Sequence, residues 1–384
     1  MEQIIQHQVL PDNNKTTWGE FDNINFSLDF DNRSLICNSI RFEADVQILS
    51  DTTSNPVVRV PLDDDCKIDP KLGGHAFIAS INTTTSAGNI ENLVEYPRLV
   101  KMKADAQHTD DDMMNSQFVC EMRAPSDTIS ELNMRQKCPK IFGGGGAGLN
   151  AQATGNLVQD QDFSIKPHMI LNNVDSDNKK LSYSKSGQIR ISIILERNLG
   201  VLYGGDVGGA YGYTLSNCKL TFMSSDDVVQ DPLSMTSSIC LKSSLASAFN
   251  NISSNVPAIC DSVSISFQQQ SNEFLLAHNN TVLELPPSIT QLSYLFSDST
   301  NKYLTYQLKD QVSMIQRGLE SLNSNKSNSA TLSNLMSNKS FIVGLKWNEL
   351  LDLTNNKFNI QLTSGITSFA PFIMYSYYHS RLTL

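Results

Sequence analysis

Apolar and polar residues alternate with period two from one end of the 384-residue chain to the other. In an extended strand that spacing sends apolar side chains to one face and polar ones to the opposite face. Phe26, Leu28 and Phe30 follow it, as do Ile40, Phe42, Ala44, Val46 and Ile48, with Arg41, Glu43, Asp45 and Gln47 turned the other way. Further strands are expected at 57–60, 75–81, 117–122, 163–171 and 188–195, with another within 93–103. The pattern stops at LGVLYGGDVGGAYG, whose five glycines between 204 and 212 cannot hold a packed element. It restarts with Cys218, Leu220 and Phe222, then Val263, Ile265 and Phe267, then Phe358, Ile360 and Leu362, with weaker strands at 234–241, 281–285 and 341–347. In the closing stretch Phe372, Met374, Ser376 and Tyr378 share one side, and Ile373, Tyr375, Tyr377 and His379 the other. A strand apolar or aromatic on both sides is expected to be buried against two surfaces.

One segment has helical spacing: Leu304, Leu308, Val312, Ile315, Leu319 and Leu322 step by three or four, predicting a helix over 303–323. Short helical pieces are expected at 243–252 and 347–353. So little helix argues against a doubly wound α/β fold, in which parallel strands need crossover helices. Antiparallel strands joined by long polar loops point instead to an all-β chain of sandwiches or jelly rolls. The expected division is an N-terminal arm at 1–16, a first domain at 17–203, a glycine-rich joint at 204–212 and a second domain at 213–384.

Composition narrows the function. At 42.5 kDa the chain suits two cores rather than one. Only 18% of residues are charged, and the net charge of -10 argues against wrapping nucleic acid by counterion release. Seven scattered cysteines without a C-x-x-C pair read as free thiols of a reducing compartment, with Cys37, Cys120 and Cys218 as small core residues. The N-terminus lacks a basic region followed by an apolar stretch, so no secretory signal is expected.

Candidate chemistry is sparse. KIFGGGGAGLN, residues 140–150, places Gly143, Gly145 and Gly148 in the G-x-G-x-x-G register of a dinucleotide loop. Such a loop functions only between a buried strand and a helix, whereas here Pro139 and two lysines precede it and a polar, aperiodic stretch follows. It therefore reads as a connection. The six histidines are never closer than 33 residues, so neither an H-x-H pair nor an H-E-x-x-H helix exists. The acidic clusters 63–65, 110–112 and 226–227 lack the alternating ligand loop that fixes a hard cation. No catalytic residue, cofactor or metal site is assigned, and the chain is read as a non-enzyme.

The segments VEYPRLVKMKADA at 94–106, FSIKPHMILNN followed by SGQIRISIILERNLGVLYG, LPPSITQLSYLFSDSTNKYLTYQ at 285–307 and the final FAPFIMYSYYHSRLTL occur in that order. Together they resemble the double jelly-roll major capsid proteins, the lineage of the adenovirus hexon, tailless membrane-containing phages, virophages and Polinton-like viruses. The resemblance implies two tandem eight-stranded jelly rolls with few short helices. It also implies a homotrimer of pseudo-hexagonal outline, built into an icosahedral shell of the virion. The implied partners are further copies of the chain, neighbouring capsomers, penton or minor capsid proteins and, as a candidate, an internal membrane. Sequence-specific nucleic-acid binding is not implied. In that setting Lys309 and Arg317, on the polar face of the 303–323 helix, and Gly143, Gly145 and Gly148 are candidate intersubunit contacts. The arm is a candidate to reach a neighbour or a membrane. A second function class is a tandem β-sandwich that binds glycans, with Tyr211, Tyr213 and the terminal aromatics as stacking platforms.

Overall fold

A computed structural model describes residues 3–30, 32–51, 58–59, 67–108, 120–123, 161–174, 179–204, 210–227, 232–297, 303–323, 340–354, 356–367 and 370–383. The first half carries β1 (Ile4–Val9), β2 (Asn23–Leu28), β3 (Arg41–Asp51), β4 (Ile78–Thr85), β5 (Gly88–Val94), helix α1 (Tyr96–Gln107), β6 (Gln161–Ile165), β7 (Ile189–Leu195) and β8 (Gly212–Ser225). The second carries β9 (Ser234–Leu245), β10 (Phe249–Ser254), β11 (Ile259–Gln269), β12 (Ile289–Ser297), β13 (Tyr303–Leu308), helix α2 (Gln311–Ser321), β14 (Val343–Asp352), β15 (Lys357–Ser364) and β16 (Phe372–Thr383).

These strands form two sandwiches with one topology. In the first, β1-β8-β3-β6 make one sheet and β2-β7-β4-β5 the other, all antiparallel. In the second, the orders are β9-β16-β11-β14 and β10-β15-β12-β13. Adding eight to each number of the first roll gives the second. Strand order 1-8-3-6 facing 2-7-4-5 is that of a jelly roll, and each roll has its helix after the fifth strand. Short segments extend the first sheet: Thr17–Trp18 lies beside β1 on the edge of β8, and Val58–Arg59 pairs with β3.

The predicted alternation is what fills the cores. Ile40, Phe42, Ala44, Val46 and Ile48 are buried in the first, with Phe26, Leu28, Ile191, Ile193 and Leu220. Val263, Ile265, Phe267, Trp347, Phe358, Ile360 and Leu362 build the second. Burial of each Val, Leu, Ile or Phe side chain here contributes about 1.5–3 kcal/mol.

Two expected boundaries move. Residues 4–9 pair along β8 from Ile4↔Ser225 to Val9↔Leu220, so most of the expected arm is the first strand of the first roll. Its inward row, Ile5, His7 and Val9, is only half-buried at the sheet edge and includes a histidine, which weakens the apolar signature. Beyond the glycine-rich run, β8 pairs with β3, Tyr213↔Ile48 and Thr221↔Arg41. The glycines therefore belong to the seventh-to-eighth strand connection of the first roll. An eighth strand must return between the first and third, and the chain passes to the second roll only between Ser225 and Ser234.

The helix expectations change for local reasons. The expected strand within 93–103 is mostly α1: Glu95 takes a left-handed conformation at φ 54° and Pro97 sits in the first turn with its φ preset. The 303–323 segment divides into β13 and α2 at Asp310, whose carboxylate accepts the Ser313 N–H at 2.7 Å as an N-cap. Leu304 and Leu308 are four apart, a spacing that suits a helix face and the same face of a strand alike. The segments 243–252 and 347–353 are strand residues of β9, β10 and β14.

Candidate functional site at the junction of the two rolls

β16 is buried on both faces, as its sequence predicts. Phe372, Met374 and Tyr378 join the second core, while Tyr375 and Tyr377 join the cluster of the first. Its neighbour β11 behaves likewise: Val263, Ile265 and Phe267 face the second core, and Ser262, Ser264, Ser266 and Gln268 are buried on the other side. Small hydroxyl side chains there let the first roll approach closely.

What approaches is α1, which carries Arg98, Lys101 and Asp105 into buried positions. A buried charge is tolerated only when it is paired or hydrogen-bonded. The Arg98 guanidinium donates to the carbonyls of Asn280 at 2.6 Å and Val282 at 3.1 Å and to the Gln268 side chain, and lies 4.1 Å from the Tyr375 ring centre. Lys101 pairs with Asp69 at 3.0 Å, and Asp69 also accepts from Asn279 and Thr281 of the second roll, each at 2.8 Å. Burial pushes the Asp69 carboxyl up, but the Lys101 ammonium and these hydrogen bonds outweigh it and hold it at about 2. Tyr377 donates to the Glu95 carbonyl at 2.8 Å, Gln107 to the Leu322 carbonyl at 2.7 Å, and the Thr236 N–H to the Asn173 carbonyl at 3.0 Å. Arg98 and Gln107 of α1, Glu95 just before it, and Asp69 and Asn173 outside it thus each bond to the second roll.

A second polar cluster lies inside the first roll. His75 contacts the Tyr96 hydroxyl at 2.7 Å and the Glu121 carboxylate at 3.5 Å, and Glu121 pairs with Arg123 at 3.3 Å. Burial raises the Glu121 carboxyl, yet its bonds to His75 and Arg123 prevail and hold it at about 2. These residue types can transfer protons, but the side chains of His75, Glu121 and Arg123 are at most 4% exposed. The cluster braces the interior.

The residues singled out from sequence are scattered. Lys309 and Arg317 are both exposed, and Arg317 pairs with Glu320 at 2.7 Å on α2. Gly143, Gly145 and Gly148 lie outside the described residues. Tyr211 and Tyr213 are 5% and 2% exposed and Tyr375, Tyr377 and Tyr378 no more than 1%, so their rings offer no sugar a platform. Cys37 and Cys218 are core thiols, but Cys120 is exposed; Cys240 and Cys260 are buried free thiols as well. Asp226 accepts from the Gln3 N–H at 2.9 Å and Asp227 pairs with Lys180 at 2.9 Å. The α1 charges were the missed feature. Arg98, Lys101 and Asp105 stand at i, i+3 and i+7, a polar stripe on one helix face.

No family model matches the sequence, and no curated protein sequence does. Solved structures do. PBCV-1 VP54, fitted into a reconstruction of the virophage Sputnik, aligns over 100% of this chain and 95% of its own, with a TM-score of 0.59 at 8% identity. The Faustovirus major capsid protein aligns over 100% and 90%, with 0.58 at 8% identity. The mavirus major capsid protein aligns over 97% and 86%, with 0.55 at 9% identity. The chain shares the double jelly-roll fold of viral capsid proteins. At identities this low, the double jelly roll is preserved by strand order and by the alternation of apolar positions rather than by particular residues.

Proposed function

We propose that this double jelly-roll chain is a viral major capsid protein, a non-enzymatic building block of the virion shell. The observation that carries the reading is that two rolls of identical topology are locked into one unit by the buried bonds of α1, in a fold whose likeness to the Faustovirus and mavirus capsid proteins covers 97–100% of the chain. Three such chains place six similar sandwiches around one axis, giving a capsomer of pseudo-hexagonal outline. A closed threefold ring uses heterologous interfaces, each side of a chain meeting a different side of its neighbour. Lys309 and Arg317 on the outside of the second roll, and Gly143, Gly145 and Gly148 of the 140–150 segment, are the contact candidates. Neighbouring capsomers, penton or minor capsid proteins and an underlying membrane complete the proposed partners. The buried aromatics count against the glycan-binding reading.

The test is the mass of the purified protein in solution together with its outline by electron microscopy. Three chains of 42.5 kDa, about 128 kDa in all, with hexagonal outlines are expected. A monodisperse monomer that does not assemble would overturn the proposal. Lys309→Ala and Arg317→Ala should weaken the trimer while leaving the monomer within about 0.5 kcal/mol of its stability, because an exposed ion pair contributes little. Unchanged trimerisation removes both residues from the interface.

A further inference from the structure

A cavity of about 320 Å³ opens where the two rolls meet beside the C-terminal ends of α1 and α2. The first roll lines it with Lys103, Lys166 and His168, and the second with Thr236, Asp261 and His379, among others. Two of its charged groups, Asp261 and Lys103, differ in how they are compensated. Asp261 is already neutralised: one carboxylate oxygen accepts from Arg381 at 3.0 Å and the other from the Ser262 hydroxyl at 2.7 Å. Lys103 is half-buried and has no hydrogen bond or ion pair among the described residues. An ammonium held partly away from water without an acceptor is costly, and a bound anion would remove that cost.

We infer that this cavity binds a small oxyanion of the sulfate or phosphate type, held by Lys103 from the first roll against the polar wall around Thr236 of the second. The surrounding titratable groups fit that assignment. His168 and His379 are both held below the ordinary histidine range, first by burial and then by the Lys103 ammonium, so the positive charge of the cavity at neutral pH comes from its lysine side and not from its histidines. Burial pushes Lys103 itself down to about 8, with Glu91 opposing the shift from behind it. Glu91 is raised by its own burial to about 8, which limits its negative charge at neutral pH. Lys346 lies close enough to His379 to act on its ring and adds positive potential. Since both rolls supply the walls, an anion here would clamp the junction and stabilise the joined form by an amount that grows with the logarithm of its concentration above the dissociation constant.

Calorimetric titration of sulfate into the assembled protein in chloride buffer tests this, since sulfate keeps its charge across the range used. One saturable site per chain is expected at pH 7, weakened at least about tenfold at pH 9.5 as the Lys103 ammonium loses its proton. Lys103→Met should abolish the site, and Lys357→Met, an exposed lysine of β15 far along the sequence, should retain it. The inference is overturned by the absence of a saturable heat, by equal affinity at the two pH values, or by binding in Lys103→Met equal to wild type. If Lys103→Met does not fold, the two wild-type titrations decide.

Discussion

Acid should weaken the junction through His379. The ring is 6% exposed, with Nδ1 2.9 Å from the Ser238 hydroxyl and Nε2 2.6 Å from that of Ser264. A hydroxyl can donate or accept, so both ring nitrogens are satisfied when the imidazole is neutral. Protonation would leave a charge on a buried ring close to Lys103. Burial first, and that ammonium second, hold the ring down to about 4 from 6.5. The unfolded chain thus takes up a proton near pH 6.5 that the folded chain refuses until near 4. Stability from this group is complete above 6.5 and falls as the pH drops towards 4. At about 1.4 kcal/mol per pH unit, the loss between pH 7.5 and 5.0 is about 2 kcal/mol, rising to about 3 kcal/mol below pH 4. Other groups titrate in the same range, Glu91 in the opposite sense, so the measurement is a difference. Guanidinium chloride unfolding of wild type and His379→Gln, in buffers free of sulfate and phosphate, is compared at the two pH values. The glutamine can still bond both serines but cannot titrate. Relative to the variant, wild type should lose about 2 kcal/mol on going from pH 7.5 to 5.0. Parallel pH profiles would refute the reasoning.

The other predictions concern packing and reactivity. Arg98→Met leaves the Asn280 and Val282 carbonyls without their donor and should cost about 3–5 kcal/mol, splitting one calorimetric unfolding transition into two as the rolls uncouple; a single transition at the wild-type temperature would sink this account. Gly318→Ala places a methyl 2.7 Å from the Ile342 carbonyl oxygen and 2.8 Å from the Val343 Cα, so α2 must lift from β14 at a cost of about 1–3 kcal/mol, and an unchanged denaturation midpoint would show the contact to be slack. Among the described cysteines, native alkylation should reach exposed Cys120 first, while Cys37, Cys218, Cys240 and Cys260, whose thiols burial pushes up to about 12, react only on unfolding; rapid labelling of Cys260, which is fully buried, would contradict the second core.

Much of the architecture was legible because a strand buried on one face repeats every second residue. The rows through Phe42 and Val46, or Phe358 and Ile360, place themselves. The two-sided burial of β16 was readable for the same reason, from aromatic residues on both of its sides. Elements buried on all sides were harder. Tyr96–Gln107 is enclosed by both rolls, so its apolar residues do not confine themselves to one stripe, and its three inward charges look like a solvated face. The roll boundary was misplaced because glycines mark flexible backbone, whereas membership of a roll is decided by pairing across more than 150 residues, as in Thr221↔Arg41. The junction site is non-local in the same way: Asp69 meets Thr281 across 212 positions, a contact no local pattern announces.

The position of β8 and β16 in their sheets also dictates the order in which the chain can fold during synthesis. Each is the eighth strand of its roll, yet each lies in the sheet interior, between the first strand and the third. Until residues 212–225 have been made, β1 has no partner and β3 keeps an open edge; until 372–383 follow, β9 and β11 are in the same state. Unpaired edges of this kind recruit other chains. Each roll therefore passes through an aggregation-exposed interval that ends only with its last strand, and a nascent chain stalled short of residue 372 would carry one finished roll and one that is adhesive.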